Sequence, residues 1–154
     1  MSYSKSLLLF DDKPEYGPFL KLIFTAMPAG LLIASVFLWS TGEVAGGLTL
    51  LAESLFIGLI FWAVFPRKYQ VYEDHLRITL GGPVAIKIGF EKIEAIRVTN
   101  KIKFSMNFVT RFTRTYVEIA RKRGPSIAIT PKNNDLFVEN ANQALNQWIK
   151  MTVK

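Results

Sequence analysis

The chain has no cysteine and a single histidine, His75. The first absence excludes disulfides, thiolate metal ligands and a thiol nucleophile. The second leaves little room for a metal site, because His75 follows Glu73 and Asp74 in a turn-like stretch with no further ligands grouped around it. No serine stands beside a placed base, so neither a Ser-His-Asp nor a Ser-Lys nucleophile can be assembled. Gly81-Gly82 lacks the Lys-Ser/Thr pair and the following helix of a phosphate loop, and reads instead as a hairpin turn. No catalytic residue, metal ligand or cofactor site is expected, and no small-molecule substrate is implied.

Charge is also unevenly missing. Residues 1–65 hold only three lysines against five acids, whereas residues 66–154 hold sixteen Lys/Arg against seven Asp/Glu, a net +9 within an overall +7. A domain this basic suits an anionic partner. Near a bilayer surface, anionic lipids attract Lys and Arg by roughly 1 kcal/mol each. Nucleic acid competes for the same charge, but no recognised nucleic-acid motif is present and none is expected as a partner.

What the chain does have is two long apolar runs, Phe19 to Trp39 and Val44 to Phe65. Each matches the ~20 residues that a helix needs to cross a ~30 Å hydrocarbon layer. The connector Ser40-Thr41-Gly42-Glu43 contains turn formers and no Lys or Arg, so the two runs read as a transmembrane hairpin. Arg67 and Lys68 follow the second run, and Lys13 and Lys21 flank the start of the first. The positive-inside rule then places both termini in the cytoplasm and the loop outside, in a cell inner membrane. A cleaved signal peptide is not expected, because Asp11-Asp12-Lys13-Pro14-Glu15 is no basic leader and the apolar run is too long. Trp39, Trp62, Tyr16 and Tyr69 are candidate interfacial anchors. Ala26, Gly30 and Ala34 form a small stripe on the first helix, facing Ser54 and Gly58 on the second, with Pro28 a candidate kink.

Glu53 lies roughly 13 Å into the second span, near mid-bilayer. Twelve Val, Leu, Ile and Phe residues outweigh its insertion cost of about 3 kcal/mol. A carboxyl there is either a relay or ligand contact, or a side chain held against the first helix or a second copy of the protein.

After Pro66 the apolar period changes to two. Tyr69-Val71, Leu76-Ile78-Leu80, Val84-Ile86-Ile88, Ile96-Val98, Val117-Ile119 and Ile127-Ile129 read as short, half-buried antiparallel strands. Asn100 to Thr115 is less regular. From Asn133 or Asn134, a good N-cap, an amphipathic helix carries Phe137, Ala141, Ala144, Leu145 and Trp148 on one face. Three segments in this order, Tyr69-Gln70-Val71-Tyr72-Glu73-Asp74-His75-Leu76-Arg77-Ile78, Ile88-Gly89-Phe90-Glu91-Lys92-Ile93 and Ile127-Ala128-Ile129-Thr130-Pro131 with Asp135 and Phe137, resemble membrane-anchored bacterial pleckstrin-homology-like (PH-like) domains. The resemblance implies an α+β chain in which the hairpin precedes a small, strongly bent antiparallel β-barrel capped by the C-terminal helix. The expected division is residues 1–66 for the N-terminal segment and hairpin and 67–154 for the PH-like domain. It does not carry over phosphoinositide binding, because Glu73 and Asp74 stand at the first turn, where eukaryotic PH domains place basic residues.

The expected role is a non-enzymatic scaffold or interaction module at the membrane surface, with the lipid bilayer and a protein partner or second copy as its contacts. Two alternatives are a small transport or channel subunit working through Glu53, and an anionic-lipid sensor using the basic 101–123 region. Candidate surface residues there are Lys101, Lys103, Phe108, Arg111, Phe112 and Arg114, whose interleaved charges and rings suit a headgroup layer.

Overall fold

The period-two segments after Pro66 fold as strands because alternate side chains can leave water together on one side of a pleated sheet. A computed structural model describes residues 6–101 and 105–152 of the protein. Its elements run β1 (Leu8–Asp12), α1 (Pro18–Ser40), α2 (Val44–Val64), β2 (Lys68–Tyr72), β3 (His75–Thr79), β4 (Ala85–Gly89), a 3-10 turn (Phe90–Lys92), β5 (Ile93–Thr99), β6 (Ser105–Phe108), β7 (Tyr116–Arg121), β8 (Ser126–Ile129) and α3 (Asn134–Thr152).

The strands form two four-stranded sheets, β1-β2-β3-β4 and β5-β7-β8-β6. The expected closed barrel is not formed. The nearest approach to closure is an isolated antiparallel bridge between Pro14 and Pro131, flanked by Glu15 N–H donating to the Thr130 carbonyl and Lys132 N–H donating to the Lys13 carbonyl. Neither proline has an N–H to give, so no ladder can grow from that point. Nor is the pairing wholly antiparallel. β6, in the stretch that looked irregular, pairs parallel with β8, Ser105 opposite Ser126 and Phe108 opposite Ile129.

β1 has no counterpart in the sequence reading, which assigned residues 1–66 to the hairpin and its lead-in. It pairs antiparallel with β2, Phe10 opposite Val71 and Asp12 opposite Tyr69, and it is bulged between Leu8 and Phe10. The strand before α1 and the strand after α2 are thus neighbours in one sheet.

The core lies between the two sheets and α3. Val71, Leu76, Ile78, Ile88, Val117, Ile119, Ile127 and Ile129 enter it from the strands, and Phe137, Ala141, Ala144 and Leu145 from the helix. Trp148 is only partly buried, its ring 6.2 Å from Phe90. The helix starts where its sequence directs. The Asn133 side-chain oxygen accepts the Leu136 N–H at 3.1 Å and the Asn133 carbonyl accepts the Phe137 N–H, so Asn133 is the N-cap. Tyr69 is fully buried rather than interfacial. Its ring sits 6.3 Å from Phe137, and its hydroxyl donates to the Phe108 carbonyl at 2.9 Å. Burial pushes that phenol well above the usual range, against opposing hydrogen bonds from Thr130, so it remains a neutral donor.

α1 and α2 are each long and apolar enough to cross a membrane, and only 6% and 11% of their most apolar stretches are buried by the rest of the chain. The turn between them is a Schellman closure. Glu43 N–H returns to the Leu38 carbonyl, Gly42 N–H returns to that of Trp39, and Gly42 adopts φ +88, which a glycine reaches without Cβ strain. The helices meet through Ser35, whose hydroxyl donates to the Gly47 carbonyl at 2.7 Å, and through Ser54, which donates to the Pro28 carbonyl at 3.1 Å. Of the small residues expected between the helices, Ser54 makes this contact. Ala26 is exposed, and a Cβ on Gly30 or Gly58 would meet nothing within 4 Å.

Candidate interaction site at the hairpin root

Pro14 and Pro66 restrict the backbone of the two segments that join the hairpin to the sheets. Tyr16 stands just before α1, and its hydroxyl donates to the Pro66 carbonyl just after α2 at 2.5 Å. Its ring contacts Phe24 and Phe65 at 5.9 and 6.5 Å. Phe24 lies 4.9 Å from Phe61 and 4.5 Å from Phe65, completing an aromatic cluster across the open end of the hairpin. Burial raises the Tyr16 phenol above its ordinary value, partly opposed by the nearby Arg67 charge. Arg67 lies over the Trp62 indole at 5.6 Å.

Two contacts fix the sheets against this cluster. The turn after β3 approaches α2 so closely that a Cβ on Gly81 would fall 1.5 Å from the Trp62 carbonyl oxygen. On the other side, residues 15–17 are bonded to the strand ends. The Thr110 hydroxyl donates to the Glu15 carbonyl at 2.8 Å, the Gly17 N–H donates to the Thr110 carbonyl at 2.9 Å, and the Thr130 hydroxyl accepts the Thr110 N–H at 2.9 Å. Thr110 and Thr130 are fully buried, so these bonds lie in an environment where losing one is costly.

The surface residues expected from the sequence divide by position. Arg111 pairs with Glu15, which docks the loop after β6 onto the lead-in to α1. Phe112 is 85% exposed, with its ring 5.5 Å from exposed Phe19 at the start of α1. Arg114 is exposed in the same loop. Lys101 is exposed farther along, its carbonyl accepting the Tyr116 hydroxyl. Phe108 packs partly buried against the core. Lys103 lies outside the described residues. Glu53 is exposed on the outer side of α2, away from the Ser54–Pro28 contact, and has no hydrogen-bond or ion-pair partner among the described residues.

His75 is not a solvated turn residue. It opens β3, stacks on Tyr72 at 4.5 Å with the rings 5° apart, and its Nδ1 lies 2.6 Å from Asp74. Among the described residues, no three His, Cys, Asp or Glu side chains come together as a metal site. One buried carboxylate has no counterpart in the sequence pattern. Glu118 on β7 is 2% exposed and takes a 2.9 Å ion pair from Arg97, its cross-strand partner on β5. Arg97 and Glu118 lie 21 positions apart in the chain, so the pair carried no signal until the strand register set them opposite each other.

Comparison with known proteins places this architecture. Residues 67–143, half of the chain, match the family described as Bacterial PH domain. No curated protein and no solved structure matches the chain. The matched segment runs from the end of the hairpin through β2 to β8 into α3, with β1 outside it, and it includes all three stretches that resemble PH-like domains. The chain therefore belongs to the bacterial PH domain family, as an α+β, PH-like interaction module preceded by two long apolar helices.

Proposed function

We propose that the protein is a non-enzymatic interaction module held at the cytoplasmic face of the inner membrane, with α1 and α2 as its transmembrane hairpin. The observation that carries this reading is the pairing of β1 with β2 around an apolar hairpin whose outer faces the chain leaves uncovered. A buried core helix would be covered by its own protein, and these are not. A cleaved leader would take β1 away from its sheet. Because β1 and β2 are hydrogen-bonded neighbours, residues on both sides of the hairpin share one side of the bilayer, and the Lys13, Lys21, Arg67 and Lys68 charges favour the cytoplasm. Reporter fusions at Gly42 and after Lys154 test the arrangement, with an external signal expected only at Gly42. An external C-terminus would overturn the orientation.

A protein contact within the membrane is supported by Glu53. A carboxyl exposed on the hairpin's outer side at mid-span needs a hydrogen-bonding partner, which a second copy or another membrane protein supplies. Replacing Glu53 with Leu is expected to reduce the size of the detergent-solubilised assembly while the fold is kept, read by light scattering. An unchanged assembly, together with lost ion flux in Glu53→Gln vesicles, would favour the transport reading instead.

A further inference from the structure

A groove of about 710 Å³ opens at the hairpin root, lined by Lys13, Lys21 and Arg67 above and by the Phe24 and Phe61 rings and Gly58 below. The three cations come from three parts of the chain: the segment after β1, the second turn of α1, and the residue after Pro66. None of them forms an ion pair with a carboxylate among the described residues, and the acids nearby are already engaged. Glu15 pairs with Arg111, Asp11 pairs with Lys68, and Asp12 accepts the Lys13 and Asn133 N–H groups. Below the charges the wall becomes aromatic, and at Gly58 it is open, since a Cβ there would meet nothing within 4 Å. The groove thus passes from a triad of cations to an apolar channel between two helices.

We infer that this groove binds one anionic glycerophospholipid, its phosphate held by Lys13, Lys21 and Arg67 and one acyl chain lying along Phe24 and Phe61 past Gly58. The inference rests on the hairpin spanning the membrane, which puts this level of the molecule at the headgroup layer. Charge complementarity selects an anion, and the aromatic channel below selects one carrying a hydrocarbon tail. Arg67 supplies planar donors suited to phosphate, while the two lysines act as point charges on flexible stems. The site differs in place from the 101–123 loop, since it is built by the junction and not by the outer surface of the sheets.

The test uses the full-length chain, delipidated in mild detergent and then offered equal amounts of phosphatidylglycerol and phosphatidylcholine, with retained lipid read by native mass spectrometry. Wild type is expected to retain phosphatidylglycerol about tenfold over phosphatidylcholine, and Lys13→Gln/Lys21→Gln/Arg67→Gln is expected to lose that preference. Lys13→Arg/Lys21→Arg, which keeps the charges, should retain it. Circular dichroism confirms that each variant is folded. Equal retention of both lipids by wild type, or an unchanged preference in the folded triple Gln variant, would overturn the inference. So would glycerol 1-phosphate displacing the lipid at equal concentration, because the channel would then contribute nothing. Alkaline carbonate washing separates this failure from that of the parent reading. A wild-type chain released from membranes by carbonate sinks the hairpin itself, whereas a retained chain without lipid preference sinks only the groove.

Discussion

At the scale of single residues, the histidine is the clearest case of chemistry that its neighbours decide. His75 lies between the Tyr72 ring and the Asp74 carboxylate, its side chain 12% exposed and that of Asp74 55% exposed. Burial works to raise the Asp74 carboxyl, but the hydrogen bond and charge from His75 outweigh it, so the group titrates below its ordinary value. A carboxyl depressed in the folded state stabilises the protein above its unfolded value, and that contribution is lost as pH falls through the folded one. Asp74→Asn is therefore expected to lower stability slightly above roughly pH 4 and to approach wild type below it, so that its acid limb is flatter. Because Asp74 faces solvent, the effect is a small one, measured best as melting temperature against pH. An acid limb identical to wild type would show that the pair contributes nothing.

At the scale of elements, the informative piece is the lead-in from Lys13 to Gly17. It is not regular structure, yet it bridges both sheets through Pro14 opposite Pro131 and through the buried Thr110–Thr130 pair. The Thr110 hydroxyl is the centre of this clamp, donating to Glu15 and sharing a 2.9 Å bond with Thr130. Thr110→Val keeps the shape and removes the hydroxyl, leaving the Glu15 carbonyl without its donor. It is expected to cost about 1–3 kcal/mol in denaturant unfolding, whereas Thr110→Ser should cost clearly less. A loss in Thr110→Ser with none in Thr110→Val would assign the effect to packing of the methyl group. The same lead-in explains why the sheets stay open, since two prolines meet where a barrel would need a continuous ladder.

At the scale of the whole molecule, the hairpin and the sheets are joined by a contact with no slack. Gly81 lies against the Trp62 carbonyl so closely that any side chain must push the turn after β3 away from α2. Backbone on both sides cannot yield as a flexible side chain would, so Gly81→Ala is expected to lower stability by at least about 3 kcal/mol. Limited proteolysis would show the consequence directly, as faster cleavage near Pro66 in the variant. Unchanged cleavage and melting would mean that the two parts are not held together there. This rigidity matters for the proposed role, because a module fixed at the hairpin root presents one face to the bilayer and another to a partner.

The sequence by itself determined the pieces whose signals are local. Apolar runs of membrane-spanning length, period-two strands, an asparagine cap at Asn133 or Asn134 and the three PH-like stretches were all legible, because period, capping and turn chemistry are written in neighbouring residues. It did not reveal β1, whose Leu8–Asp12 stretch has no period of its own and becomes a strand only beside β2. Nor did it reveal the parallel pairing of β6 or the open form of the sheets, which depend on which edges meet. Lys13, Lys21, Arg67 and Tyr16 were visible as orientation and anchoring signals, up to 54 positions apart in the chain. Only the tertiary structure brought them around one groove, because a charge cluster built from three separate segments exists in space and nowhere in the order of residues.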